Sequence, residues 1–280
     1  MLGGLCDRLQ GIVSLYKISK ENDIPFKIWF DYPFYLDEFL IPNEVNWIIP
    51  KENISFECSK IKVRKIPMAY EALGMTYEEE CEYQTKYLYN LFKRYKKRQI
   101  HIYSNAHLAI NHEFELLFNE LFKPSPILEE ALLINKKNIG TDYISATFRF
   151  QNLLGDFREK NSQELPMKEK DLLINKCLEQ IEILHQRFTD NKILVTADSS
   201  SFLKTANERY SYVYIIPGNL VHMSYSVNAS QESYLKSFID LMMLSNAQRL
   251  FLLITGKMYH SGFAQTASFI HNKPYKVIRF

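Results

Sequence analysis

The chain has 280 residues, 46% of them hydrophobic and 24% charged, which fits one large globular domain or two ordinary ones and excludes a disordered chain. Lysine and arginine total 34 against 32 for aspartate and glutamate, a net charge of +2 that offers no global attraction for nucleic acid. The four cysteines (Cys6, Cys58, Cys81, Cys177) are scattered without metal-ligand spacing, so free thiols in a cytoplasmic protein are expected, and no apolar run approaches the length of a membrane span.

Taken in order, the chain opens Met1-Leu2-Gly3-Gly4-Leu5-Cys6-Asp7-Arg8, a glycine turn entering a helix whose apolar positions are Leu9, Ile12, Val13 and Tyr16. Such a turn brings backbone N–H groups and a positive helix end near an anion, and a buried strand upstream of Met1 is expected to precede it. Short strands follow at Pro25–Phe30 and Val45–Pro50, with another within residues 55–67. Tyr77 to Arg98 reads as a charge-polarised helix, with Glu78, Glu79, Glu80 and Glu82 first and Lys93, Arg94, Lys96, Lys97 and Arg98 last. That order makes a well-capped solvent-facing helix; its basic end would also suit an anionic lipid surface. Gln99–Asn105 is a strand, His112–Phe122 an amphipathic helix and Ile127–Asn135 a short helix. Asn135–Gly140 is polar and glycine-terminated, and the domain boundary is placed there, giving domains 1–138 and 139–280.

Beyond it strands and helices alternate. Strands are expected at 142–150, 192–199, 212–218, 249–256 and 275–280, with helices near 168–188, 200–209, 231–247 and 261–271. Near-continuous apolar strands separated by helices indicate a parallel sheet covered on both faces, hence a Rossmann-like second domain. The first half looks like a less regular version of the same plan.

All strands of a parallel sheet deliver their carboxyl ends to one edge, where ligands bind. There the first strand of this domain offers Arg149, the second Asp198 and Ser199, and the fourth Ser261-Gly262-Phe263 at the start of a helix. Together these suit a nucleotide: a guanidinium fork for a diphosphate, a carboxylate for a base or ribose edge, and helix N–H groups for phosphate oxygens. Each residue also has an ordinary alternative. Arg149 could pair with Asp156, Asp198 could cap the following helix, and Ser261 could cap its own. His222, in the loop after the third strand, is a lesser candidate. The sequence has no P-loop, GxGxxG, HExxH, GxSxG or DxD-type pair, so no metal is called for.

GGLCDRLQGI, ATFRFQNLLGD, VTADS and the segment from Ser237 through SGFAQTASF resemble, in this order, motifs of the fucosyltransferase-like glycosyltransferases. That group includes the nodulation fucosyltransferase, core α-1,6-fucosyltransferases and protein O-fucosyltransferases. This chain has Thr147 where the family has histidine, Cys6 where a glycine is usual, and its Gly155-Asp156 pair several residues later than the family's. The resemblance implies an α/β, GT-B-like fold, two Rossmann-like domains with mostly parallel sheets facing across a cleft. It further implies inverting, metal-independent transfer of fucose or a related sugar from a GDP-sugar to a glycan acceptor, lipid-linked or free, with no cofactor beyond the donor. Membrane contact would be peripheral at most. Arg149 would hold the β-phosphate, with Asp156 and Glu159 the nearest carboxylates to it and Asp156 taken as the catalytic one. Asp198, Ser199, Ser261, Gly262, Phe263 and His222 would bind the donor, Gly4, Asp7 and Arg8 face the acceptor side, and Asp240 orient the site from behind. A non-catalytic GDP- or sugar-binding module on the same fold is the alternative.

Overall fold

The structure is a computed structural model that describes residues 3–95, 98–109, 111–157, 163–221 and 229–280. Contacts divide the chain into two compact units, Met1–Lys123 and Pro124–Phe280.

In the first unit, helix α1 (Leu5–Glu21) lies against a two-stranded parallel sheet of β2 (Ile61–Ile66) and β3 (Gln99–Ser104). The contact is close. A Cβ built on Gly11 of α1 would stand 2.0 Å from the Ser104 carbonyl oxygen, so only glycine lets the helix reach the strand end. Leu15 and Ile18 of α1 bury against Ile66, Leu88, Leu91 and Phe92, the last three from helix α3 (Tyr77–Arg94). The expected charge-polarised helix is thus present, but it ends at Arg94 and not at Arg98; Lys96 and Lys97 lie outside the described residues. Its start is fixed by a reciprocal cap: the Glu79 N–H donates to Thr76 Oγ1 at 3.2 Å and the Thr76 N–H to the Glu79 carboxylate at 2.7 Å. Short strands β1 (Leu40–Pro42) and β4 (Phe122–Pro124) pair with each other, and helices α2 (Tyr70–Leu73) and α4 (Asn111–Leu121) complete the unit. The strands expected at 25–30 and 45–50 are reduced to one parallel bridge, Ile28 to Ile48.

The second unit begins with helix α5 (Pro126–Ile139), entered through Ser125 and a proline in its first turn. The residues expected to form a linker are its last turn, and the division of the chain falls ahead of α5 instead of behind it. Leu128, Leu132, Asn135 and Ile139 are the buried stripe of this helix, and its outer face carries Glu129, Glu130, Lys136 and Lys137 together with the exposed Leu133 and Ile134. Five parallel strands follow: β5 (Tyr143–Thr147), β6 (Lys192–Thr196), β7 (Val213–Tyr214), β8 (Leu250–Ile254) and β9 (Tyr275–Arg279). Their order across the sheet is β7-β6-β5-β8-β9. β5, β6 and β8 are apolar and buried almost throughout, as a sheet covered on both faces requires.

Helices α6 (Met167–Arg187) and α7 (Ser200–Arg209) share one apolar cluster with the sheet through Cys177, Leu178, Ile181, Phe202 and Leu203. Helix α8 (Gln231–Asn246) packs against α5 and α9 (Phe263–Ile270). Right-handed crossovers that run outward first on one side of β5 and then on the other place these helices on opposite faces of the sheet. The point of reversal lies between β5 and β8, and in sheets of this kind ligands bind in the crevice beyond the strand ends there. No helix of the described residues is long and apolar enough to cross a membrane.

Candidate functional site

Beyond β5 the chain stays extended through Phe148-Arg149-Phe150. The two phenylalanines are almost wholly buried and meet Phe202 of α7 with ring centroids 4.8 and 4.9 Å away. Side chains of an extended segment alternate, so anchoring both neighbours in the core turns Arg149 the other way. Its guanidinium lies 5.1 Å from the ring of Phe157 and makes a 3.0 Å ion pair with Asp198. The parallel register explains the meeting. Thr147 of β5 stands beside Thr196 of β6, so residues two further along each strand, Arg149 and Asp198, arrive level with one another.

Asp198 is committed on both oxygens. One accepts the Phe150 N–H and the other the Gln151 N–H, each at 2.7 Å. Gln151 has φ +56°, a conformation uncommon for a side-chain-bearing residue, and the bond to Asp198 helps to hold it there. Burial pushes the Asp198 carboxyl up to about 6, although Arg149 and the two N–H groups pull the other way. A carboxyl raised in the folded state favours folding at low pH and loses that contribution as pH rises through its folded value. Urea midpoints should therefore show the wild type losing stability relative to Asp198→Asn between about pH 4 and about pH 6, with a constant difference above.

Asp156 does not pair with Arg149 as the sequence alternative had it. The turn 151–155, with Gly155 at φ +84°, carries Asp156 to the start of α7. Its Oδ2 accepts from Ser201 N–H (2.9 Å), Ser201 Oγ (2.8 Å) and Ser199 Oγ (2.9 Å). Ser199, fully buried, is the N-cap of α7 and accepts the Phe202 N–H at 3.2 Å. The ordinary alternative for Asp198, capping this helix, is therefore not realised; its neighbour is the cap.

The third strand end joins the others through the backbone. The Tyr259 N–H donates to the Arg149 carbonyl at 3.0 Å, which ties the loop after β8 to the Arg149 segment two residues before Ser261. Ser261 Oγ accepts the Phe263 N–H at 3.2 Å, and Gly262 is the exposed N-cap of α9. Arg149, Asp198, Ser199 and the 259–263 loop thus gather at the switch point of the sheet.

The other expected members have partners of their own. Asp240 is buried in α8 with Lys236 at 2.6 and 2.5 Å, and burial raises its carboxyl while Lys236 opposes the rise. Its charge is balanced within its own helix. In the first unit the Gly4 N–H donates to the Asp7 carboxylate at 2.8 Å, capping α1. Arg8 is buried, its Nε donating to the Gly3 carbonyl (3.2 Å) and its Nη1 to the Tyr32 carbonyl (2.8 Å), with Phe30 beneath it at 5.4 Å. His222 and Glu159 lie outside the described residues. Sequence reading missed Phe157 and Tyr259; Phe157 was legible as an aromatic following Asp156, whereas a backbone donor leaves no mark in a sequence.

No family model matches the chain, and no curated protein matches it. Solved structures do. The NodZ α-1,6-fucosyltransferase soaked with GDP-fucose superposes with a TM-score of 0.60 at 13% identity, over 95% of this chain and 89% of that one; a NodZ structure is from Bradyrhizobium. A mutant of Arabidopsis thaliana FUT1 in complex with GDP gives 0.58 at 11% identity, over 99% of this chain and 68% of that one. The apo form of POFUT1 gives 0.55 at 10% identity, over 99% and 95%. The α/β fold of this chain is the fold of these fucosyltransferases.

Proposed function

We propose that this protein is a glycosyltransferase that moves fucose, or a related sugar, from a GDP-sugar to a glycan acceptor, with inversion and without a metal. The observation that carries the reading is Arg149, set at the switch point by two buried phenylalanines and a carboxylate. A diphosphate leaving group gains charge as the sugar–oxygen bond breaks, and a fixed guanidinium fork stabilises it most at that moment. In the displacement the acceptor hydroxyl attacks the anomeric carbon from the far side, and the bonding pair of the broken bond passes to the β-phosphate oxygen. The acceptor's proton goes to a base or to water. Ser261, Gly262 and Phe263 would meet the donor beside Arg149, and His222 would join them from the loop after β7, whereas the buried Ser199 would serve the site from behind, by fixing the start of α7. Asp198 would act by holding the fork and the turn. Asp240 would support the site only at a distance, through α8. Gly4, Asp7 and Arg8 belong to the acceptor-side unit. A cytoplasmic protein making polysaccharide, touching a membrane at most peripherally, completes the reading.

A second reading, a GDP- or sugar-binding module without turnover, is favoured by Asp156: the carboxylate expected to serve catalysis is engaged with the start of α7. One pair of measurements separates the two. Millimolar GDP should raise the melting temperature by several degrees where UDP and NAD do not. GDP should also be released from GDP-fucose or GDP-mannose when glycan acceptors are supplied. A GDP shift without release selects the binding module, and no shift with GDP rejects the transferase and any GDP-binding module, leaving only a module that binds sugar.

A further inference from the structure

The segment Trp29-Phe30-Asp31-Tyr32-Pro33-Phe34-Tyr35 carries five aromatic rings in seven residues and divides them sharply. Phe34 is buried, stacks on Phe30 at 5.1 Å and meets Phe39 edge-on at 5.3 Å. Trp29, Tyr32 and Tyr35 remain 44, 55 and 59% exposed. Exposed rings on a loose loop would mean little, but this loop is pinned. The Leu36 N–H closes it onto the Phe30 carbonyl at 3.1 Å, and the buried Arg8 guanidinium grips the Tyr32 carbonyl while covering Phe30. Arg8, from the glycine-led opening of α1, thereby acts as the positioning residue for the loop that carries these exposed rings.

We infer that this loop is a carbohydrate-binding platform that holds neutral pyranose rings of the acceptor; the occupant is taken from the transferase reading above. The axial C–H bonds of a pyranose carry slight positive charge and fit the negative face of an aromatic ring. Asp31 and Asp37, both exposed, are acceptors for hydroxyls at the ring edge. Residues 29–38 carry Asp31, Asp37 and Glu38 and no lysine or arginine, so the surface repels anionic lipid headgroups. A loop already fixed by Arg8 loses little freedom when a sugar lands on it, which matters because each stacking contact is weak.

The chain has its own reporter. Of the two tryptophans Trp47 is buried, with its indole N–H on the Leu121 carbonyl at 2.8 Å, while Trp29 is open to solvent. Cellotriose and chitotriose titrated into the full chain should shift Trp29 emission to the blue and protect it from acrylamide, and Trp29→Phe should abolish both signals. Tyr32→Ala and Tyr35→Ala should each weaken the sugar by about tenfold while leaving the GDP thermal shift unchanged. No change of emission or quenching with either trisaccharide up to about 10 mM overturns the inference. So does protection of Trp29 by phosphatidylcholine vesicles or by raised protein concentration in place of sugar. A sugar response without a GDP shift keeps the platform and rejects the GDP-sugar transferase.

Discussion

Arg149→Ala is expected to lower GDP-sugar turnover by about a thousandfold or more, the scale on which a preorganised charge at a leaving group acts. Loss of turnover alone would be ambiguous, because the same change leaves the Asp198 carboxylate buried without its cation. Breaking a buried pair from one side costs roughly 3 kcal/mol, part of which Asp198 can recover by taking up a proton. The double substitution Arg149→Ala with Asp198→Asn removes both charges and should restore most of the stability, read as urea midpoint, while leaving turnover lost. Arg149→Lys should keep GDP binding within about tenfold yet fail in turnover, since an ammonium preserves the charge and not the fork. Turnover in Arg149→Ala within about tenfold of wild type would remove the arginine from the mechanism.

The second large effect is expected far from that arginine in sequence. Gly11→Ala would drive a methyl group to within 2.0 Å of the Ser104 carbonyl oxygen and 2.7 Å of its carbon. Both are backbone atoms, at the carboxyl end of β3, so neither can swing aside. Alanine gains about 1 kcal/mol over glycine as a helix former, but overpacking against backbone should outweigh this and leave a net loss of roughly 3 kcal/mol. Differential scanning calorimetry should show the transition of the first unit falling by about 10 °C, and Gly11→Val should fall further. A stabilised Gly11→Ala would mean that α1 does not approach β3 so closely.

How far the sequence was legible follows from the range of the forces involved. The second-unit strands and helices were found because β-branched runs and a 3.6-residue period are local signals; α6 differs by one residue at each end from its expected span. The strands at 25–30 and 45–50 had the same kind of composition, yet only Ile28 and Ile48 bridge, because a strand exists by virtue of its neighbours. Asn135–Gly140 was misread as a linker because the solvent face of a helix end has a linker's composition. At the site, Arg149 was visible as a cation ending an apolar run. Its partner was not, since the pairing of Thr147 with Thr196 sets which residues lie level, and parallel strands joined by a helix leave no turn from which to read register. The buried role of Arg8 had no signal either: the carbonyl it grips is twenty-four residues away.

The division ahead of α5 also bears on how the gene could be cut. Residues 139–280, the piece the sequence boundary would suggest, would be made without the helix that packs on α8, and Tyr214 would lose the Asn135 side chain its hydroxyl meets at 2.7 Å. A piece beginning near Ser125 carries its own lining for that face of the sheet. The smallest portable part of this protein is therefore a helix longer than its strand-and-helix alternation alone would indicate.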